Sequence, residues 1–201
     1  MKVQMKFQKM ICMATVIIGA IAFAISLGLL TNIYHVDQWA GVLGFGSTKN
    51  NLFLKMQDFN DQIVGIYIIF IILAALLFIT NSHKRRNYYI SNYINIILVF
   101  VFGVVTSIMN IVKIIGYKDE YLAIDFEELQ FYIKEMGIET NSKKSTFWLD
   151  FNIVAAILVV IVSLLLLVNL IWKIRLMKGE KALLSANNID KNNKEEVAYE
   201  A

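Results

Sequence analysis

Charged positions along this chain fall in clusters, and the stretches between the clusters are apolar. No Asp, Glu, Lys or Arg lies between Lys9 and Asp37, Asp61 and Lys84, Arg86 and Lys113, or Asp150 and Lys173. A helix crosses roughly 30 Å of hydrocarbon with about 20 residues, and each stretch has that length. The pattern predicts an all-α integral membrane protein with four transmembrane helices, at about residues 10–30, 63–80, 93–115 and 151–172 of the chain. Residues 1–9 read as a basic tail. Residues 31–62 and 116–150 read as loops on one side of the membrane, and 173–201 as a helix extension leading into a flexible tail.

Finer periodicities sit inside this frame. Ala20, Ala24 and Gly28 recur every four residues in the first span, a spacing that lets another helix pack closely. Leu52, Phe53, Met56, Phe59 and Ile63 have helical spacing, so the second helix is expected to begin near Asn51, ahead of its span. In the third span Gly103, Thr106, Asn110 and Lys113 share one helical face. Polar groups in lipid are costly, so this face should point at other helices or at water. Asp61 and Asp150 lie at a depth comparable to Lys113, and an ion pair between Lys113 and one of them would register the helices.

The second long loop carries a helix-start pattern. Asp125 stands as a cap, Glu128 follows three residues later, and Gly137 supplies a stop. Phe126, Leu129, Ile133 and Met136 line one side of this short amphipathic external helix, while Glu127 and Glu128 favour the positive end of its dipole. Such a face covers the top of its own bundle or docks a partner.

Charge orients the frame. Lys2, Lys6 and Lys9, then Lys84, Arg85 and Arg86, then Lys173, Arg175, Lys178 and Lys181 flank the spans on one side. The long loops hold fewer basic residues near the spans, and in the second of them acidic residues outnumber lysines. By the positive-inside rule both termini are cytoplasmic, the long loops are external, and the chain is a multi-pass plasma-membrane protein. The N-terminal stretch could also be read as a cleavable signal peptide at Ala20 or Ala22. Its apolar run continues to Leu30 without a polar region before the cut, which favours a retained span.

Of 201 residues, 58% are apolar and none is proline, and the net charge is only +3, which argues against a nucleic-acid partner. One Cys, Cys12, excludes a disulfide framework within the chain. Abundant Ile, Asn and Lys fit an AT-rich, bacterial coding bias. Two histidines, His35 and His83, and one cysteine, all far apart, make no metal cluster, so no metal and no cofactor is expected. The glycines of Gly41–Gly46 lack the ending of a phosphate loop. With no nucleophile, base and stabiliser in one motif, no catalytic residue is expected either. The chain thus reads as a non-catalytic membrane subunit, accessory or immunity-type protein, with the lipid bilayer and another membrane protein, or copies of itself, as partners. The alternative is a small oligomeric channel or transporter with a polar third-span path.

Overall fold

A computed structural model describes residues 2–31, 51–81, 90–125, 127, 131, 134–135 and 145–199. The described chain is built from four long helices: α1 Lys2–Leu27, α2 Asn51–Asn81, α3 Ile90–Leu122 and α4 Phe147–Tyr199. Each contains a segment long and apolar enough to cross a membrane, namely Val3–Leu27, Leu54–Asn81, Ile90–Leu122 and Phe147–Glu180. The chain is a multi-pass membrane protein folded as a helical bundle.

The helices form a square. α1 packs on α2 and α4, and α3 packs on the same two, so α1 and α3 lie across a diagonal, as do α2 and α4. α1 and α3 start at the end of the bundle where α2 finishes and where α4 passes Lys173; we refer to this as the terminal end. The opposite, loop end holds the start of α2, the start of α4 and the end of α3. A main apolar core runs along the axis, with Cys12 and Ala22 from α1, Tyr67, Phe70 and Leu77 from α2, Ile96 and Val99 from α3, and Val159 and Leu166 from α4. A second cluster closes the loop end, where Leu52 and Met56 of α2 meet Leu29, Ile114, Tyr121 and Leu149.

Glycine sets the closest helix approaches. A Cβ at Gly28 would lie 2.7 Å from Cη2 of Trp148 and nearer still to its neighbours in the indole ring. A Cβ at Gly103 would lie 2.8 Å from Phe70 and closer to the Ser163 hydroxyl. Where no hydrophobic transfer drives helices together in lipid, such contacts hold them by dispersion. Ala20 and Ala24 face outward instead, and the inner face of α1 is carried by Thr15, Gly19, Ala22 and Ser26. Of the small-residue series, only Gly28 packs closely against another helix.

Two boundaries differ from those drawn on charge. Residues 2–9 are not a separate tail but the first turns of α1, because Gln4 and Gln8 continue the buried face of Ile11 and Thr15. α4 runs as helix through to Tyr199, where the sequence reading has a loose tail. The stretch after Gly179 has no helix-breaking proline or glycine, and its Lys, Glu, Leu and Ala residues support a helix by local propensity.

Local hydrogen bonds close the end of α1 and the start of α4. At the end of α1 the chain tightens, with Gly28 N donating to Ile25 O at 3.0 Å and Thr31 N to Gly28 O at 3.1 Å. At the start of α4 Ser145 Oγ accepts from Phe147 N at 3.4 Å, and Thr146 Oγ1 donates to Asp150 at 2.7 Å.

Candidate functional site

The terminal end of the bundle buries a polar network to which every helix contributes. Gln4 and Gln8 stand one turn apart on α1, as Asn169 and Lys173 do on α4, so each pair projects from one face. Asn92 is the third residue of α3, and Thr80 is the penultimate residue of α2. Asn92 is the hub. Its Oδ1 accepts from Lys173 Nζ at 2.9 Å and from Gln8 Nε2 at 3.2 Å. Its Nδ2 donates to Thr80 Oγ1 at 3.2 Å. Gln4 Nε2 extends the network to Gln8 Oε1 at 3.1 Å and to Asn169 Oδ1 at 3.0 Å.

Burial gives this network its weight. Lys173 is 1% exposed, Gln8 and Asn169 are 0%, and Asn92 is 1%. The Lys173 ammonium lies 4.4 Å from the Tyr93 ring centroid, over the negative face of the ring. Phe7 and Trp172 meet edge to face at 5.7 Å beside it. A charge removed from water is costly unless hydrogen-bonded, and the Asn92 amide oxygen and an aromatic face offset that cost here.

A second polar level lies mid-bundle. Asn110 Nδ2 donates to the Tyr67 hydroxyl at 3.0 Å. Ser107 Oγ, Ser163 Oγ and Asn110 Oδ1 are buried with no hydrogen-bond partner among the described residues, and the same holds for Oδ1 of Asn60 and of Asn152 nearer the loop end. Native interiors pair such atoms or solvate them, and these are the polar atoms of the core left over from helix pairing. Ile96, Val99 and Leu166 fill the core between this level and the terminal network.

These groups bind, donate and accept hydrogen bonds, and fix helices against one another. Among the described residues no three His, Cys, Asp or Glu side chains come together as a metal site.

The residues singled out on the third span separate into two sets. Gly103 and Asn110 are buried. Thr106 is half-buried and returns its hydroxyl to its own helix, at Phe102 O. Lys113 and Asp61 are exposed. Asp150 pairs with Lys118, Nζ to Oδ1 at 2.6 Å, and not with Lys113. Lys118 lies five residues further along α3, about 140° beyond a full turn, which brings it to the α4 side. The inner stripe of α3 is Asn92, Ile96, Val99, Gly103, Ser107, Asn110 and Ile114, one position away from Thr106 and Lys113.

Phe126, Glu128, Leu129, Ile133 and Met136 of the expected external helix lie outside the described residues. Within that stretch Glu127 is exposed, and its backbone N donates to Asp125 Oδ1 at 3.1 Å, the local bond of a capping aspartate.

Gln4, Gln8, Asn92, Asn169 and Lys173 are the functional candidates that charge counting missed. Their signal is present: two pairs of polar residues four apart, each continuing the inward stripe of an apolar helix. No known protein family, no characterised protein and no solved structure matches this chain.

Proposed function

We propose that the chain is a non-catalytic membrane subunit of accessory or immunity type. It binds another membrane protein or a membrane-active polypeptide through its external helix and its span faces. It sits in a bacterial plasma membrane with both termini cytoplasmic, following the distribution of lysine and arginine beside the spans. The observation that carries this reading is the Asn92 hub. Its bonds to Gln8, Thr80 and Lys173 tie all four helices at one level, as suits a rigid scaffold that presents surfaces.

A channel is the second reading, and the buried unpartnered atoms of Ser107, Asn110 and Ser163 favour it. The apolar fill between that level and the terminal network weighs against a continuous path.

One purification separates the two. Crosslinking in intact membranes, followed by mild-detergent isolation, should recover a stoichiometric foreign polypeptide. Replacing Phe126, Leu129 and Ile133 together with Ser should abolish that recovery while membrane insertion persists. A homo-oligomer that conducts ions in liposomes, and loses conductance in Ser107→Leu, would replace this reading with the channel.

A further inference from the structure

A groove of about 260 Å³ opens on the outer surface between α1 and α2, lined by Met13, Val16, Ile17, Ala75, Phe78 and Ile79. No polar side chain lines it. The small side chain of Ala75 leaves the opening, and the exposed Ile17 and Ile79 form its lips. It lies toward the terminal end, since Phe78 and Ile79 come just before the last residue of α2, Asn81.

A cation stands at that end of the groove. Lys9 Nζ lies 5.8 Å from the Phe78 ring centroid, and Lys6 is exposed close to one turn earlier on α1. Lys84, Arg85 and Arg86 follow α2 in the sequence at the same end. We propose that this groove seats one acyl chain of an acidic phospholipid, with Lys9 and Lys6 holding its phosphate.

Dimensions select this occupant. From Lys9 to Ile17 the helix rises about 12 Å, against about 15 Å for the hydrocarbon of one leaflet. A single chain with an anionic head matches both the greasy depth and the cationic rim.

The test uses the full chain in phosphatidylcholine nanodiscs, doped with a lipid that carries a photoactivatable acyl chain and either a phosphatidylglycerol or a phosphatidylcholine head. The segments 13–17 and 75–79 should label more strongly from phosphatidylglycerol, by about fivefold for each lysine engaged. Lys9→Gln should remove about fivefold of that preference, which reads the net charge of the head, because phosphatidylcholine carries a phosphate as well. Ala75→Trp, which fills the groove, should reduce labelling by both lipids. Should Ala75→Trp fail to insert, Lys9→Gln decides the matter, since its side chain is exposed. Equal labelling by the two lipids, or a preference that survives Lys9→Gln, overturns the proposal.

Discussion

The two ends of the bundle are held by different means. At the terminal end the polar groups are sealed among helices, and the one ammonium within them is 1% exposed. At the loop end the charged pairs are wet. The side chains of Lys118 and Asp150 are 30% and 47% exposed, and those of Lys55 and Glu120 are 54% and 51% exposed at 3.6 Å. Packing does the holding there, through Trp148 against Gly28, Phe59 against Tyr117 at 5.6 Å, and the cluster around Met56 and Tyr121. Exposed ion pairs contribute little, whereas an orphaned buried donor costs its full desolvation. The ends should therefore respond differently to equally small changes.

The largest effect is expected at Asn92. Asn92→Ala removes the acceptor shared by Gln8 and Lys173 and the donor to Thr80. It should lower stability by about 3–5 kcal/mol, read as loss of folded protein in a denaturing-detergent titration. Lys173→Met removes the buried charge at similar volume and should change stability by less than about 1 kcal/mol. Equal damage from both changes would break the view that orphaning, not loss of charge, governs this end.

A smaller effect is expected where packing dominates. Gly28→Ala pushes a methyl into the Trp148 ring and should cost about 1–3 kcal/mol. Adding Trp148→Leu should recover part of that loss, and thermal unfolding of the single and double variants checks it. A simple sum of the two losses would remove Trp148 as the cause.

The smallest belongs to the wet pairs. Lys118→Gln and Lys55→Gln should each change stability by less than about 1 kcal/mol, and raised salt should erase the difference from the parent chain. A large, salt-insensitive loss at Lys118 would show the loop end to be electrostatically held after all.

The frame of four helices was legible because lipid demands long charge-free runs, and the start of α2 at Asn51 followed from the spacing of Leu52, Met56 and Ile63. The inner face was much less legible. In a span both faces are apolar, so hydropathy does not distinguish Ile96, which is buried, from Ile97, which faces out. A spacing of three and four groups Lys113 and Thr106 with Gly103 and Asn110, although the buried stripe runs through Asn92, Gly103, Ser107 and Asn110, one position away from both. A lysine near a span end keeps its head in water at little cost. Lys173 was missed for the complementary reason. Counted as a topology marker, it was assigned to the water side, while its position one turn after Asn169 aims it into the core.

The Asn92 hub also has a consequence for the order in which the protein is made. Three of its members, Gln8, Thr80 and Asn92, lie within the first three helices, whereas Lys173 follows Asn92 by 81 residues. During synthesis the first three helices are therefore complete while the hub still lacks its fourth strut. Until α4 inserts, the amide oxygen of Asn92 faces an unfinished core. Arrival of α4 closes that site, so insertion of the fourth helix and concealment of the polar centre are one event.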